Sequence, residues 1–467
     1  MKAGEWEHDE SFRDRMPSVT EKGKRNWIYA WQPKGKWYTW RSALSVFYVL
    51  LFFSLPFITI KGDPALQINI LEGKFSILGA IFWPQDFFIF GVGMVTMVVF
   101  IYLFTMIYGR IFCGWACPQT IFMEMIFRRI EWWIEGNPNK QRARNHGPWT
   151  TERVLKTGSK HIVFFALSFI IANTFLAYII GYKELFSIIR EPVSQHFGGF
   201  VAIVIFTTAF YIVYAFAREI VCTIICPYGR LQGVLLDKNS IIVAYDHVRG
   251  EPRGKGKRPS EQALGDCIDC KQCVVVCPTG IDIRNGTQLE CVNCTACIDA
   301  CNNIMDKVGL PRGLIRYASE NQISENKPFA FSARMKAYSV VLLLLVSGLS
   351  FMLATRDDVD VTVMRAKGML FQEVGADSLS NLYQMTMVNK THKDIVVEMK
   401  VDNFPADIRY IGHEILRTPA EGQAEATFFI VLPKSAIRER DSRLQLGVYQ
   451  NGKKIYTVKT SFLGYTE

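Results

Sequence analysis

None of the twelve cysteines stands outside a short repeated motif, so none is left over for a disulfide framework. That use of cysteine points to metal or redox ligands in a reducing compartment. The first fifteen residues, MKAGEWEHDESFRDR, lack an apolar run, and a cleavable signal peptide is not expected. Acidic residues are the scarcer charge, 43 Asp and Glu against 53 Lys and Arg, which leaves a formal net charge of +10. Such an excess suits either nucleic acid or anionic lipid. The basic residues cluster beside apolar blocks, so lipid is expected and nucleic acid is not.

Those blocks are the first thing the sequence has in abundance. Five runs approach the roughly 20 residues that span a bilayer, near Ala43–Ile60, Phe87–Ile107, Ile162–Ile180, Phe200–Ala217 and Ala337–Ala354. Buried core helices are the alternative, but they suit isolated shorter runs. Lys and Arg number nine before Ala43, two in 61–86, nine in 108–161, two in 181–199 and sixteen in 218–336. Basic loops stay in the cytoplasm. The alternation therefore predicts a cytoplasmic N-terminus and, after an odd number of spans, a periplasmic C-terminal region in a bacterial inner membrane. The organisation expected is a tail (1–42), a four-span domain (43–248), a cytoplasmic cluster domain (249–336), a fifth span (337–355) and a periplasmic domain (356–467).

That last region has no cysteine and shows alternating runs, LYQMTMVN, DIVVEMKVD, ATFFIVLP, LQLGVYQ and KIYTVKTSF, separated by turn signals at Asn403–Pro405, Pro433 and Asn451–Gly452. Short alternating strands at this spacing predict a seven-stranded, all-β Ig-like sandwich. The stretch Arg249–Ser260 reads as a flexible basic connector. The segment IFMEMIFRRIEWWIEG, with Trp132 and Trp133, reads as an interfacial amphipathic helix.

The strongest chemical signal lies between spans four and five. Cys267, Cys270, Cys273 and Cys277, followed by Pro278, form one run, and Cys291, Cys294, Cys297 and Cys301 form a second with the same spacing. This is the bacterial two-cluster ferredoxin pattern, in which the fourth cysteine of each run ligates the other cluster. Cys267, Cys270, Cys273 and Cys301 are thus expected to hold one 4Fe–4S cluster, and Cys291, Cys294, Cys297 and Cys277 the second. Zinc is the alternative, but it favours two separated Cys-x-x-Cys pairs. Asn302 stands where a second proline is usual, which predicts a changed local turn. Clusters ligated wholly by cysteine bind no substrate and pass single electrons.

A second signal is an internal repeat. The second and fourth spans end in RIFCGWACP and REIVCTIICP, placing Cys113 with Cys117 and Cys222 with Cys226, each pair followed by a proline. A spacing of four puts two sulfurs on one helix face, and proline disfavours helix at the cysteine before it. Four thiolates at one membrane depth would form a soft site for Cu(I) or a dithiol couple. The alternative is buried, inert cysteine. Arg110 and Arg218 either lower thiol pKa values or anchor in headgroups. Glu124 and Glu219 read as solvated or headgroup-facing groups, His161 and His196 as satisfied polar residues, and Asn389–Thr391 as a turn.

Two hairpins ending in Cys-x-x-x-Cys-Pro, a double ferredoxin run, a fifth span and an outer β-domain together resemble the CcoG family of cytochrome c oxidase accessory proteins, also called FixG or RdxA. The resemblance runs from about Trp27 to the end. Polyferredoxin membrane proteins of the NapH and NosR types share the hairpins and the ferredoxin run; the single fifth span and the Ig-like tail favour CcoG. The resemblance implies a cupric reductase that acts as an assembly factor for cbb-type oxidase, using the eight cluster cysteines and Cys113, Cys117, Cys222 and Cys226, with copper at those four. The partners expected are a cytoplasmic electron donor, oxidase subunits or copper chaperones, and a second copy of the chain. A quinol-linked electron conduit and a non-catalytic scaffold remain the other readings.

Overall fold

The computed structural model describes residues 17–20, 22–60, 62–69, 73–77, 79–83, 86–254, 264–366, 370–412, 416–437 and 439–464. Part of the basic connector Arg249–Ser260 lies outside the described residues. The chain divides into two compact units, Met1–Phe57 with Val92–Ser347, and Ile58–Gly91 with Gly348–Glu467.

Five helices are long and apolar enough to cross a membrane. They are α1 (Lys36–Ser54, extended to Phe57 by a short 3₁₀ turn), α2 (Phe87–Tyr108), α5 (Thr151–Ile180), α6 (Phe197–Ile212, extended to Ala217) and α9 (Ala333–Ala354). Between them lie α3 (Ile111–Trp115), α4 (Arg128–Glu135), α7 (Pro227–Leu235) and α8 (Ala296–Val308).

The apolar runs mark the middle of each span better than its ends. Helix α1 begins seven residues before the expected Ala43, because tertiary contacts define its start. The Asp299 carboxylate accepts the backbone N–H groups of Trp37 (3.2 Å) and Tyr38 (2.7 Å), filling the role of a cap from a distant helix. A Cβ on Gly35 would stand 2.2 Å from Asp299 Cγ, so only glycine fits beside this carboxylate. Helix α5 begins eleven residues before Ile162, where the Thr150 side chain accepts from the Arg153 N–H (3.2 Å).

The segment after the first cysteine pair is not an interfacial helix. Ile121–Phe127 is a π-helical stretch whose Phe122, Met123 and Phe127 are buried. Phe127 stacks on Tyr214 (4.5 Å between centroids) and meets Phe164 edge-on (4.8 Å). Its aromatic residues thus fill the core between α5 and α6, and only Trp133 reaches out, at 84% exposure. Of two further π stretches, Val213–Ala217 precedes the second pair and Val221–Ile225 carries its first cysteine, Cys222. Such bulges are rare and recur at functional sites.

Buried charge holds this region together. Glu131 accepts from Arg218 at 2.6 Å and sits 3.5 Å from Lys160, which also pairs with Glu135 at 3.1 Å. Burial alone would raise the Glu131 pKa, but attraction and hydrogen bonding from Arg218, helped by Lys160, bring it down to about 2. A depressed carboxylate pKa contributes stability that is complete above its ordinary value and is lost as pH falls through about 2. Glu131→Gln should cost about 3–5 kcal/mol, because it strands a buried guanidinium. It should also flatten the acid branch of a melting-temperature profile measured between pH 5 and 2.

In the C-terminal part of the second unit, nine strands among the described residues form two sheets, while Ile58–Gly91 adds a two-stranded and a three-stranded sheet of short strands. The nine are β1 (Val359–Arg365), β2 (Gln372–Val374), β3 (Ser378–Asn389), β4 (Ile395–Val401), β5 (Asp407–Ile411), β6 (Leu416–Thr418), β7 (Gln423–Pro433), β8 (Asp441–Gln450) and β9 (Lys453–Leu463). One sheet runs β5-β7-β3-β1, with β2 also on β3, and the other runs β6-β4-β8-β9. Nine strands replace the expected seven, because β2 and β6, three residues each, are too short to show an alternation. Tyr383, Phe428, Leu446 and Phe462 fill the space between the sheets. The Tyr383 hydroxyl donates across it to the Ser461 carbonyl at 2.7 Å. Asn451 and Gly452, both at positive φ, make the tight β8–β9 turn.

Candidate redox site at the membrane edge

The two ferredoxin runs fold alike. Asp269 and Asn293 occupy the residue before the second cysteine of their runs, and Lys271 and Thr295 the residue after it. All four are left-handed (φ 52°, 52°, 57° and 65°). These kinks turn three closely spaced sulfurs toward one side. Each group of three then meets the fourth cysteine of the other run. One cavity is lined by Cys267, Cys270, Cys273 and Cys301, the other by Cys291, Cys294, Cys297 and Cys277. Cys273 lines both, so the cavities adjoin.

The residues fit iron–sulfur clusters on two grounds. Burial, reinforced by the Asp282 carboxylate at Cys273 and by neighbouring sulfurs at both, pushes the Cys273 and Cys291 thiols up to about 12, so a bare set of thiolates is disfavoured there without a cationic partner. The second ground is spacing. Thiolates around one zinc ion stand about 3.8 Å apart, given Zn–S of about 2.3 Å in a tetrahedron. Among the described residues, which include all twelve cysteines, no three cysteine sulfurs lie within 4.8 Å of one another. A multi-iron cluster needs the wider frame; a closed zinc site does not.

The short helix Gln272–Val275 ends before Cys277 and Pro278. After Cys301, Asn302 lets α8 run on to Val308, and its side-chain oxygen accepts from the Gly313 N–H at 3.0 Å. The changed turn expected there is thus a continued helix.

The paired membrane-edge cysteines repeat their backbone as well. Cys117 and Cys226 are extended (ψ 123° and 113°) and cap helices that begin at Pro118 and Pro227. Cys113 lies in α3 and Cys222 in the π stretch before α7, both buried. The four converge: Cys113 is within Coulombic reach of Cys117 and Cys226, and Cys222 of Cys117 and Cys113.

This convergence abuts the second ferredoxin run. A Cβ on Gly114, between Cys113 and Cys117, would stand 2.3 Å from the Val292 carbonyl oxygen, so the loop of Cys291–Cys294 lies directly on α3. Trp115 donates its indole N–H to the Asn293 carbonyl at 3.2 Å. Arg41 donates to the Gly114 carbonyl at 2.7 Å. Arg110, 2% exposed, ties three pieces together: Nε donates to Gln232 Oε1 (2.9 Å), Nη2 to the Cys222 carbonyl (3.2 Å) and Nη1 to the Leu289 carbonyl. Gln232 Oε1 also accepts from the Cys113 thiol at 3.2 Å.

Several weaker expectations change. Arg110 and Arg218 are not headgroup anchors, and Glu124 and Glu219 are not solvated. Glu124 pairs with Arg128 at 3.0 Å and Glu219 with Arg25 at 3.4 Å, all but Arg25 being buried. His161 is a satisfied polar residue, bonded to the Tyr211 hydroxyl at 2.9 Å, and His196 contacts Glu191 at the surface. Sequence reading missed Gln232, whose only signal is that it lies six residues past Cys226. It also missed Asp63, His392 and Glu421, which bring three potential ligand atoms within 4.8 Å of one another in the second unit; no spacing links residues so far apart.

Known proteins match this architecture. A family described as a 4Fe-4S dicluster domain matches residues 217–320, a 4Fe-4S binding domain matches 90–141, and an IG-like fold at the C-terminus of FixG matches 349–465. The chain is 31% identical over 432 residues to the nitrogen fixation protein FixG of Rhizobium meliloti, covering 82% of this chain and 81% of that one. It is 35% identical over 372 residues to protein RdxA of Cereibacter sphaeroides, covering 78% and 76%. The crystal structure of a FixG-related protein from Vibrio parahaemolyticus covers 23% of this chain and 97% of its own, at 16% identity and a TM-score of 0.21.

Proposed function

Since this chain belongs to the FixG/RdxA family of membrane-associated iron–sulfur electron-transfer proteins, we propose that it reduces Cu(II) to Cu(I) at Cys113, Cys117, Cys222 and Cys226 for the assembly of a cbb-type cytochrome c oxidase. The observation that carries this reading is the seat of the Cys291–Cys294 loop on Gly114, which sets a cluster-type cavity against the membrane-edge cysteines.

In this reading Cys267, Cys270, Cys273 and Cys301 hold one 4Fe–4S cluster, and Cys291, Cys294, Cys297 and Cys277 hold the other. When bound, each cluster stores and passes one electron. Cys270 is exposed, and the cluster it helps hold is the one proposed to take electrons from a cytoplasmic donor. The chain's own contribution is at the copper. Thiolate softness favours Cu(I), and the low-dielectric edge of the membrane disfavours the more highly charged Cu(II). Arg110 and Gln232 fix Cys113 and the Cys222 backbone, so the pairs face each other before copper arrives. Oxidase subunits or copper chaperones are the partners proposed for the β-sandwich.

The same reading puts the N-terminus in the cytoplasm and the β-sandwich in the periplasm, on the Lys and Arg alternation. A reporter active only in the periplasm should be silent when fused after Ser260 and active when fused after the last residue. The reverse pattern would refute the orientation. Copper reduction is tested by the variants argued in the Discussion.

A further inference from the structure

A cavity of about 480 Å³ opens where span three begins and span four ends, and its wall carries Arg25, Arg142, Arg153, Lys160 and Arg218 against one carboxylate, Glu131. Helix α5 presents Arg153, Thr157, Lys160 and His161 to it, spaced four, three and one residues apart, so one helix face is given over to this wall.

The charges there do not cancel. Arg218 and Lys160 share Glu131 and Glu135, and Arg25 has Glu219. That leaves three cations matched by three carboxylates. Arg142 and Arg153 meet no carboxylate among the described residues. Arg142 lies over the Tyr29 ring at 5.6 Å. Arg153 lies over Trp149 at 4.2 Å and donates to the carbonyls of Gly147 and Asn145. Aromatic faces and carbonyls orient a guanidinium but leave its charge in place.

A hollow carrying two surplus positive charges, set where apolar helices give way to polar residues, lies at headgroup depth. Basic pockets between spans on the cytoplasmic side of a membrane take anionic headgroups, and the orientation proposed above puts this pocket on that side. Trp149, 75% exposed at the start of α5, is a residue of the kind enriched at that depth.

The geometry points to a phosphate-binding site here, occupied by the headgroup of an anionic phospholipid that settles between spans three and four. Arg142 and Arg153 supply the charge, and the Glu131 network fixes the wall behind them. This site is independent of the copper chemistry.

The test is titration of spin-labelled phosphatidylglycerol and phosphatidylcholine into the full-length protein in mixed micelles, with inorganic phosphate as a separate competitor. Each surface arginine contributes about 1 kcal/mol to such binding, or about fivefold in affinity. The double variant Arg142→Gln, Arg153→Gln should therefore bind phosphatidylglycerol about 25-fold more weakly. Phosphatidylcholine binding should not change. Neither arginine belongs to the buried ion network, so the melting temperature should be kept. Lys140→Gln with Lys156→Gln removes the same charge away from the cavity and should leave phosphatidylglycerol binding as it was. Equal binding of phosphatidylglycerol by wild type and the arginine double variant would overturn the site. Phosphate binding that needs both arginines, without any preference for phosphatidylglycerol over phosphatidylcholine, would overturn the lipid assignment and make soluble phosphate the ligand.

Discussion

Replacing Cys113, Cys117, Cys222 and Cys226 together by serine is expected to lower Cu(II) reduction more than about 100-fold. Changes one shell further from a metal already cost 10–100-fold in affinity or activity. Serine keeps the shape and hydrogen-bonding capacity of the side chain but replaces a soft thiolate by a hard hydroxyl that has little affinity for Cu(I). The eight ferredoxin cysteines are untouched, and the loop on Gly114 contacts backbone, not these sulfurs. Iron and acid-labile sulfide should therefore stay at about eight each per chain after anaerobic preparation. Reduction of copper at the wild-type rate in this variant would make the membrane-edge cysteines structural.

The second large effect is expected from a cysteine that looks, by position, as though it belongs to the first cluster. Cys277 follows Cys273 by four residues, yet lines the cavity of Cys291, Cys294 and Cys297. Cys277→Ser should lose the spectroscopic signal of the second cluster and keep that of the first, with iron falling toward about four per chain. Cys301→Ser should do the opposite, since Cys301 lines the cavity of Cys267, Cys270 and Cys273. Loss of the first cluster in Cys277→Ser, with the second intact, would mean that each run closes on itself.

What the sequence conveyed well was pattern. Cysteine spacing, Pro118 and Pro227, and the alternation of β4 and β8 all survive into the structure, because each is dictated by local geometry. What it conveyed poorly was burial of charge. Arg110, Arg218, Glu124 and Glu219 sit next to apolar spans, where surface anchoring is the ordinary expectation. Arg110, Arg218 and Glu219 are drawn inward because their partners, Gln232, Glu131 and Arg25, come from elsewhere in the chain, while Glu124 is buried with Arg128 one helical turn on. The start of α1 was hidden for the same reason. Its cap is Asp299, more than 260 residues away, and hydropathy cannot register a carboxylate that arrives from another helix. The π stretches beside both cysteine pairs also left no mark, since Ile121–Phe127 reads like any amphipathic helix.

The most direct test of where reduced copper sits is X-ray absorption at the copper edge, on full-length protein that has been chemically reduced without oxygen and given one equivalent of Cu(II). The wild type should show Cu(I) in a first shell of sulfur alone, and the variant with Cys113, Cys117, Cys222 and Cys226 changed to serine should show no protein-bound Cu(I). A nitrogen or oxygen shell in the wild type, or the same sulfur shell in the variant, would contradict copper reduction at the membrane-edge cysteines.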